Sequence, residues 1–422
     1  VIVAVTGCAA PLIGLNIHRN PGLSPYDEIP YLDYLYRVDH GQFVVGKGEH
    51  VTTYTMRVVA CRGVQGLFPP NPAVCRGRKP ITGARWLNSA DIDPPTYYVL
   101  TAAGANVIRA LGVTSQLLTA GRLMGIVWAG LGLGLLLLFA RRLRASWAAA
   151  IVVTFLVLCM PLYLRNWTFV TPHAMELIVT LSVLWVTVNW AEGGGRWWHL
   201  ALVGLVPPAV KATDVLATGL AIVLLLFSAY RAWGAGVHRR RASLGEPSRQ
   251  LIGAGILFVS TLTVSLVWLG VRSHYALMSG NEFPRFNVSH FSLSFLTNTL
   301  AVFVQPQAVL AGNQTSIAVL LQLALFGSAL MALRATGRAQ TFRPLAGTVL
   351  VGGIFGPWLF VVFNYVALRQ FVTPLPIRYG LSVFSAAAAL LAANLRRAVG
   401  IVIVAALGLI LLSIDLFPSH WP

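Results

Sequence analysis

The sequence predicts an all-α integral membrane protein, and three observations carry that expectation. Of its 422 residues, 56% are hydrophobic and 10% charged, against about 25% charge in soluble domains. Mean hydropathy is +0.72. The apolar residues gather into about eleven runs, and eleven spans of about 20 residues would use roughly half the chain. A soluble enzyme with one anchor is excluded. Third, basic residues sit in short links between the runs: Arg141, Arg142 and Arg144; Arg196; Arg239, Arg240 and Arg241; Arg334, Arg338 and Arg343; Arg396 and Arg397. That is the positive-inside pattern. The net charge of +18, from 31 basic against 13 acidic residues, would point a soluble chain to nucleic acid. Here the cytoplasmic links account for it, and no nucleic acid partner is expected.

With those links taken as cytoplasmic, the chain threads as one polytopic domain, 1–422. Residues 1–16 form a short span running outward. Lacking Met and a basic flank, it reads as the inside of a longer helix and not as a cleaved signal peptide. A long extracytoplasmic loop, 17–95, carries short amphipathic helices, and 96–422 holds the remaining transmembrane helices and loops. An amphipathic stretch at 94–111 suits the interface. Spans are expected at about 117–140, 147–163, 169–190, 199–211, 213–230, 252–272, 313–333, 346–368, 381–395 and 400–417. The pair 199–211 and 213–230 is short for two spans and reads as a hairpin. Its tip, Val206-Pro207-Pro208-Ala209-Val210-Lys211-Ala212-Thr213-Asp214, stops a helix with two prolines and places two charges that want water or a cavity.

Cys61 and Cys75 lie in the loop, whereas Cys8 and Cys159 lie in apolar runs. A Cys61–Cys75 disulfide is expected, worth about 3 kcal/mol on a chain-entropy estimate and needing an oxidising compartment. The alternative is two free thiols. No further ligands are spaced for zinc.

The chemical signal is the placement of acids. Asp27, Glu28, Asp33, Asp39, Glu49, Asp91 and Asp93 all fall in the single loop, with Asp27 and Glu28 adjacent just after the first span. A carboxylate at the membrane surface can take a proton from an attacking hydroxyl. Acids alone also fit a solvated pair that starts a helix. The same loop closes with Asp91-Ile92-Asp93-Pro94-Pro95-Thr96-Tyr97-Tyr98, and Lys211 and Arg378-Tyr379 follow later.

In that order, the acid pair after the first helix, the Pro-Pro-x-Tyr-Tyr entry to the next, the hairpin lysine and the late Arg-Tyr resemble the GT-C superfamily. These are polytopic glycosyltransferases that use lipid-linked sugars. The likeness is nearest to the protein O-mannosyltransferase and aminoarabinose-transferase branch. Two departures from the family pattern bear on the expected subfamily: the histidine often expected after the acid pair is missing, with Tyr31 nearest, and the outer half lacks a recognisable soluble C-terminal domain.

The resemblance implies Asp27 or Glu28 as general base, Asp27 first, with Glu28 orienting it or binding acceptor. It implies Arg378 and Lys211 on the donor phosphate, where charge stabilisation can dominate catalysis. Structural alternatives stay open: a snorkelling arginine for Arg378 and a Lys211–Asp214 ion pair. Tyr31, Tyr97, Arg165, His173, Glu176 and Tyr379 are candidates for substrate binding. His173 and Glu176 stand three apart, which puts both on one helical face; they fit equally a helix-holding pair or a proton relay. The stretch 272–313 adds His274, Tyr275, Asn281, Glu282, Arg285, His290 and Gln305 as a cavity cover.

Phosphate-loop, nucleophile-elbow, Cys-x-x-Cys and His-Glu-x-x-His patterns are absent, so ATPase, serine hydrolase, thiol redox and zinc protease readings lose support. The expected function is inverting transfer of a sugar from a polyprenyl-phosphate donor to an envelope glycan, glycolipid or protein, in the plasma membrane with the site on the extracytoplasmic side. Arabinofuranose or mannose would suit the high-GC source that the arginine bias suggests. A divalent cation, Mg or Mn, is optional, and no metal ligands are assigned. The alternatives are a lipid-linked glycan or small-molecule transporter or flippase, and a non-catalytic scaffold.

Overall fold

The computed structural model describes residues 1–25, 27–77, 86–238, 245–278, 314–334, 341–368 and 380–416. Arg378, Tyr379, Asn281, Glu282, Arg285, His290 and Gln305 lie outside the described residues.

Described residues are helical apart from turns, loops and three isolated bridges. In chain order they form α1 (Ile2–Arg19), α2 (Glu28–Asp39), α3 (Thr53–Arg62), α4 (Pro72–Cys75), α5 (Thr96–Ala110), α6 (Leu117–Arg142), α7 (Trp147–Cys159) and α8 (Pro161–Thr168). There follow α9 (Glu176–Ala191), α10 (Trp197–Val210), α11 (Val215–His238), α12 (Gly245–His274), α13 (Gln314–Arg334), α14 (Phe342–Leu368), α15 (Leu381–Asn394) and α16 (Ala398–Leu416). Short 3-10 turns sit at Ser89–Ile92, Pro172–Met175 and Ala212–Asp214.

Among the described residues, six helical stretches are long and apolar enough to cross a membrane, and α7 with α8 makes a seventh that is bent by 63°. Four shorter apolar helices accompany them, α10 and α15 among them. The expectation of a continuous span at 147–163 therefore changes. Pro161 at the first position of α8 cannot donate a backbone hydrogen bond, and Met160 before it is extended (ψ 121°), so the helix breaks there. The expected hairpin is present, but the prolines do not stop the helix: α10 includes Pro207 and Pro208 and ends at Val210, Lys211 is extended, and a 3-10 turn leads into α11.

Helix α6 is central, and its glycines admit neighbours at backbone range. A Cβ on Gly125 would lie 1.8 Å from the Trp167 carbonyl oxygen, so only glycine lets α8 approach there. Every residue of α15 from Leu381 to Ala393 is buried, and its Ala386–Ala389 run offers the small surface that close helix packing uses. Helices α12 and α16 instead leave Phe258, Val259, Val267, Val402, Ile403 and Leu409 exposed, as lipid-facing helices do. The first and last helices meet where Asn16 Nδ2 donates to Asp415 Oδ2 at 2.8 Å and Arg19 Nη1 to the Leu416 carbonyl at 2.9 Å.

The polar loop folds over one end of this bundle. Thr52 caps α3, and a Cys61–Cys75 disulfide with Cα atoms 4.8 Å apart ties α3 to α4. The amphipathic stretch forms α5, which buries Tyr97, Tyr98, Thr101 and Ala105 and exposes Leu100 and Val107.

Candidate functional site

Asp27 is the N-cap of α2, with φ 62° and ψ 9°, the left-handed region that few non-glycine residues occupy and that Asn and Asp tolerate better than most. Its carbonyl accepts the Tyr31 N–H at 3.2 Å, so the turn is closed by the first helical bond. Half-buried, Asp27 lines a cavity of about 290 Å³ with Ser24, Pro30, Phe68, Trp86 and Ser89.

Glu28, one residue on, is fully buried and anchored from four directions. Arg122 meets it with two hydrogen bonds, Nε to Oε1 at 2.8 Å and Nη2 to Oε2 at 2.7 Å. The backbone N–H groups of Ser24 (2.7 Å) and Val170 (3.0 Å) donate to the same oxygens. Arg122 spends its remaining donors on the Asn20 and Gly22 carbonyls, and its guanidinium lies over the Phe169 ring. This bidentate, desolvated pair locks the chain on both sides of Asp27. Sequence reasoning missed Arg122. The available signal was an arginine one turn inside an otherwise apolar span.

The other loop acids are held by bases too. Asp33 pairs with Arg37 at 2.8 Å and accepts from Thr52, Thr55 and Asn88. Glu49 pairs with Arg37, Asp39 with Arg109 at 3.1 Å, Asp91 with Arg272 at 2.8 Å, and Asp93 with Lys211 at 3.0 Å. With Glu28, these acids sit in ion pairs that organise the loop and join it to the bundle.

Lys211 is buried at the hairpin tip. It pairs with Asp93 at 3.0 Å and also acts electrostatically on Asp214, its partner in the structural alternative; Nζ reaches the Tyr31 hydroxyl at 3.3 Å and lies 5.2 Å from that ring. Tyr31, Tyr34 and Tyr98 cluster beside it, with Tyr34 and Tyr98 stacked at 4.1 Å. Burial, with Asp93 adding to it, pushes both the Tyr34 and Tyr98 phenols well up, so they remain neutral.

Tyr97 accepts the Thr171 N–H on its hydroxyl at 3.1 Å. His173 and Glu176 are both buried but occupy different elements: His173 lies in the 3-10 turn and Glu176 opens α9. Glu176 accepts from the hydroxyls of Ser382 and Thr180 and adjoins the buried Asp214. Arg165 Nη2 stands 3.5 Å from Ser24 Oγ, on the wall of the Asp27 cavity. The structure therefore brings Asp27, Glu28 and Arg165 to one place, and Tyr31, Lys211 and Asp93 to a second. Among the described residues, no group of three or more His, Cys, Asp or Glu is arranged to hold a metal ion.

No protein-family model matches the sequence, and no curated protein sequence matches it. Among solved structures it is similar to the crystal structure of ArnT from Cupriavidus metallidurans bound to undecaprenyl phosphate. The TM-score is 0.52 at 15% identity, over 94% of this chain and 60% of that one. The chain thus spans about three fifths of the ArnT chain's length. The likeness is one of fold: the helical, polytopic membrane architecture expected from the sequence is one the chain shares with that structure.

Proposed function

We propose that a chain with this GT-C-like fold is an inverting glycosyltransferase, moving a sugar from a polyprenyl-phosphate donor to an envelope glycan, glycolipid or protein on the extracytoplasmic face. The observation that carries this reading is Asp27: a carboxylate in a left-handed backbone turn, lining a cavity, beside an acid locked by Arg122. Uncommon backbone geometry at a cavity is where functional groups concentrate. That the similar ArnT structure holds undecaprenyl phosphate supports a donor of this chemistry.

In this mechanism the Asp27 carboxylate takes the proton of an acceptor hydroxyl as its oxygen attacks the anomeric carbon. The bond from that carbon to the phosphate oxygen breaks on the opposite face. The polyprenyl phosphate leaves with the bonding pair, and one displacement inverts the configuration. Glu28 is a positioning residue, because its carboxylate is committed to Arg122 and two backbone donors. The leaving phosphate needs cations. Arg165, whose guanidinium reaches the cavity-lining Ser24, is one cation we assign to the donor; Lys211, held by Asp93 and Tyr31, and Arg378 are the others. Tyr31, Tyr97, His173, Glu176 and Tyr379 would shape the sugar and lipid path, and arabinofuranose or mannose is the sugar proposed. No metal ligands are assigned, so Mg and Mn enter the assay as additions.

The test is transfer from a panel of radiolabelled polyprenyl-phosphate sugars to a crude envelope acceptor, with the purified protein in lipid. Label reaching the acceptor with wild type and not with Asp27→Asn supports the proposal. Label crossing the bilayer with no transfer from any donor would replace it with a flippase.

A further inference from the structure

A second cavity, of about 470 Å³, opens at the other end of α2, where that helix meets α3, α5 and the start of α6. Its walls carry the guanidinium groups of Arg57, Arg62 and Arg109 against a single carboxylate, Asp39, which Arg109 and Asn106 already engage. Arg62 is braced by Gln116. Arg57 has no hydrogen bond or ion pair to another described residue. Tyr36 and Tyr54 stack at 4.1 Å with an interplanar angle of 9° and form a flat, largely apolar wall. One further feature suits an anion. The 26-residue α6 begins at Leu117 without a side-chain cap, so the positive end of its dipole and its first N–H groups border the cavity.

The location says what kind of anion. Leu117 and Leu118, the first residues of the α6 span, line the cavity. Just before them Leu111 is 74% and Val113 64% exposed, an apolar rim that a membrane protein places against lipid. A cationic cavity at that level meets the headgroup layer, and forked guanidiniums match phosphate oxygens. We propose that this cavity binds the phosphodiester headgroup of an anionic membrane phospholipid, apart from the cavity lined by Asp27. Nine residues of α2 separate Asp27 from Tyr36, about 13 Å at the rise of an α-helix. The inference therefore does not rest on the transferase reading.

The experiment is native mass spectrometry of the purified protein in neutral detergent, titrated separately with phosphatidylglycerol, phosphatidylcholine and inorganic phosphate. One phosphatidylglycerol should remain bound at concentrations where phosphatidylcholine does not. Arg57→Gln should weaken it about tenfold and Arg57→Glu further, since one charge-assisted contact is lost and then reversed. Both variants should keep the wild-type unfolding temperature, because Arg57 has no hydrogen bond or ion pair among the described residues, and Asp27→Asn should retain the lipid. Equal binding of the two lipids, or wild-type affinity in both Arg57 variants, overturns the proposal. Displacement of the lipid by an equal concentration of inorganic phosphate would assign the cavity to a free anion and overturn the lipid assignment.

Discussion

At the N-terminal end of α2 a carboxylate, Asp27, lines the smaller cavity, and the nearby acid Glu28 is neutralised by Arg122. At the C-terminal end the signs are exchanged: Asp39 and Glu49 are taken up by Arg109 and Arg37, and the cavity there is lined by arginines. One 12-residue helix thus starts at a cavity lined by an acid and ends at one lined by arginines that α3 and α5 supply. The difference teaches that the number of charges in a segment does not locate a site. Pairing consumes most of them, and the chemistry lies with those that face a cavity.

The largest expected effect separates Asp27 from its neighbour. Asp27→Asn should lower transfer by about 10²–10⁴-fold, the usual contribution of a general base, while the thermal midpoint stays near wild type. A midpoint that falls together with activity would make Asp27 structural and erase the contrast with Glu28. Glu28→Ala should do the reverse. It strands the Arg122 charge in the interior, which costs about 3–5 kcal/mol and should appear as a large drop in unfolding temperature in detergent. Glu28→Ala with wild-type stability would mean that the buried pair does not hold this end of α2.

At the arginine end, replacing Cys61 and Cys75 by serine should cost about 3 kcal/mol, since 14 residues of separation would no longer be closed in the unfolded chain. Because Cys61 lines the larger cavity, limited proteolysis should find α3 and α4 opened before the Asp27 turn. Equal protease sensitivity of both regions would show that the two ends of α2 are one cooperative unit. The smallest effect is expected from Thr52→Ala, which removes the cap of the helix bearing Arg57 and one donor to Asp33, for about 1 kcal/mol by denaturant titration. No change would leave α3 held by Asp33 and the disulfide alone.

Much of this fold was legible because its signals are local. The apolar runs that became α6, α9, α11, α12 and α16 are read from length alone, since a bilayer sets how many residues a helix needs. Pro207 and Pro208 announced the hairpin, and the loop cysteines announced their bridge. The break at Pro161 was equally local but was absorbed into one span, because hydropathy does not register a lost backbone donor.

The site was legible only in part. Its acids stood out by position, but what each acid does depends on a partner far along the chain. Arg122 is 94 residues from Glu28 and Lys211 is 118 from Asp93, separations over which no sequence period operates. Composition and hydropathy determined that the chain is helical, polytopic and crowned by an acid-rich loop, because water and hydrocarbon sort residues by type wherever they lie. Tertiary structure decided which base meets each carboxylate and which side chains line the cavities, because a charge removed from water must find its counter-charge in space, and only the folded chain says who is near.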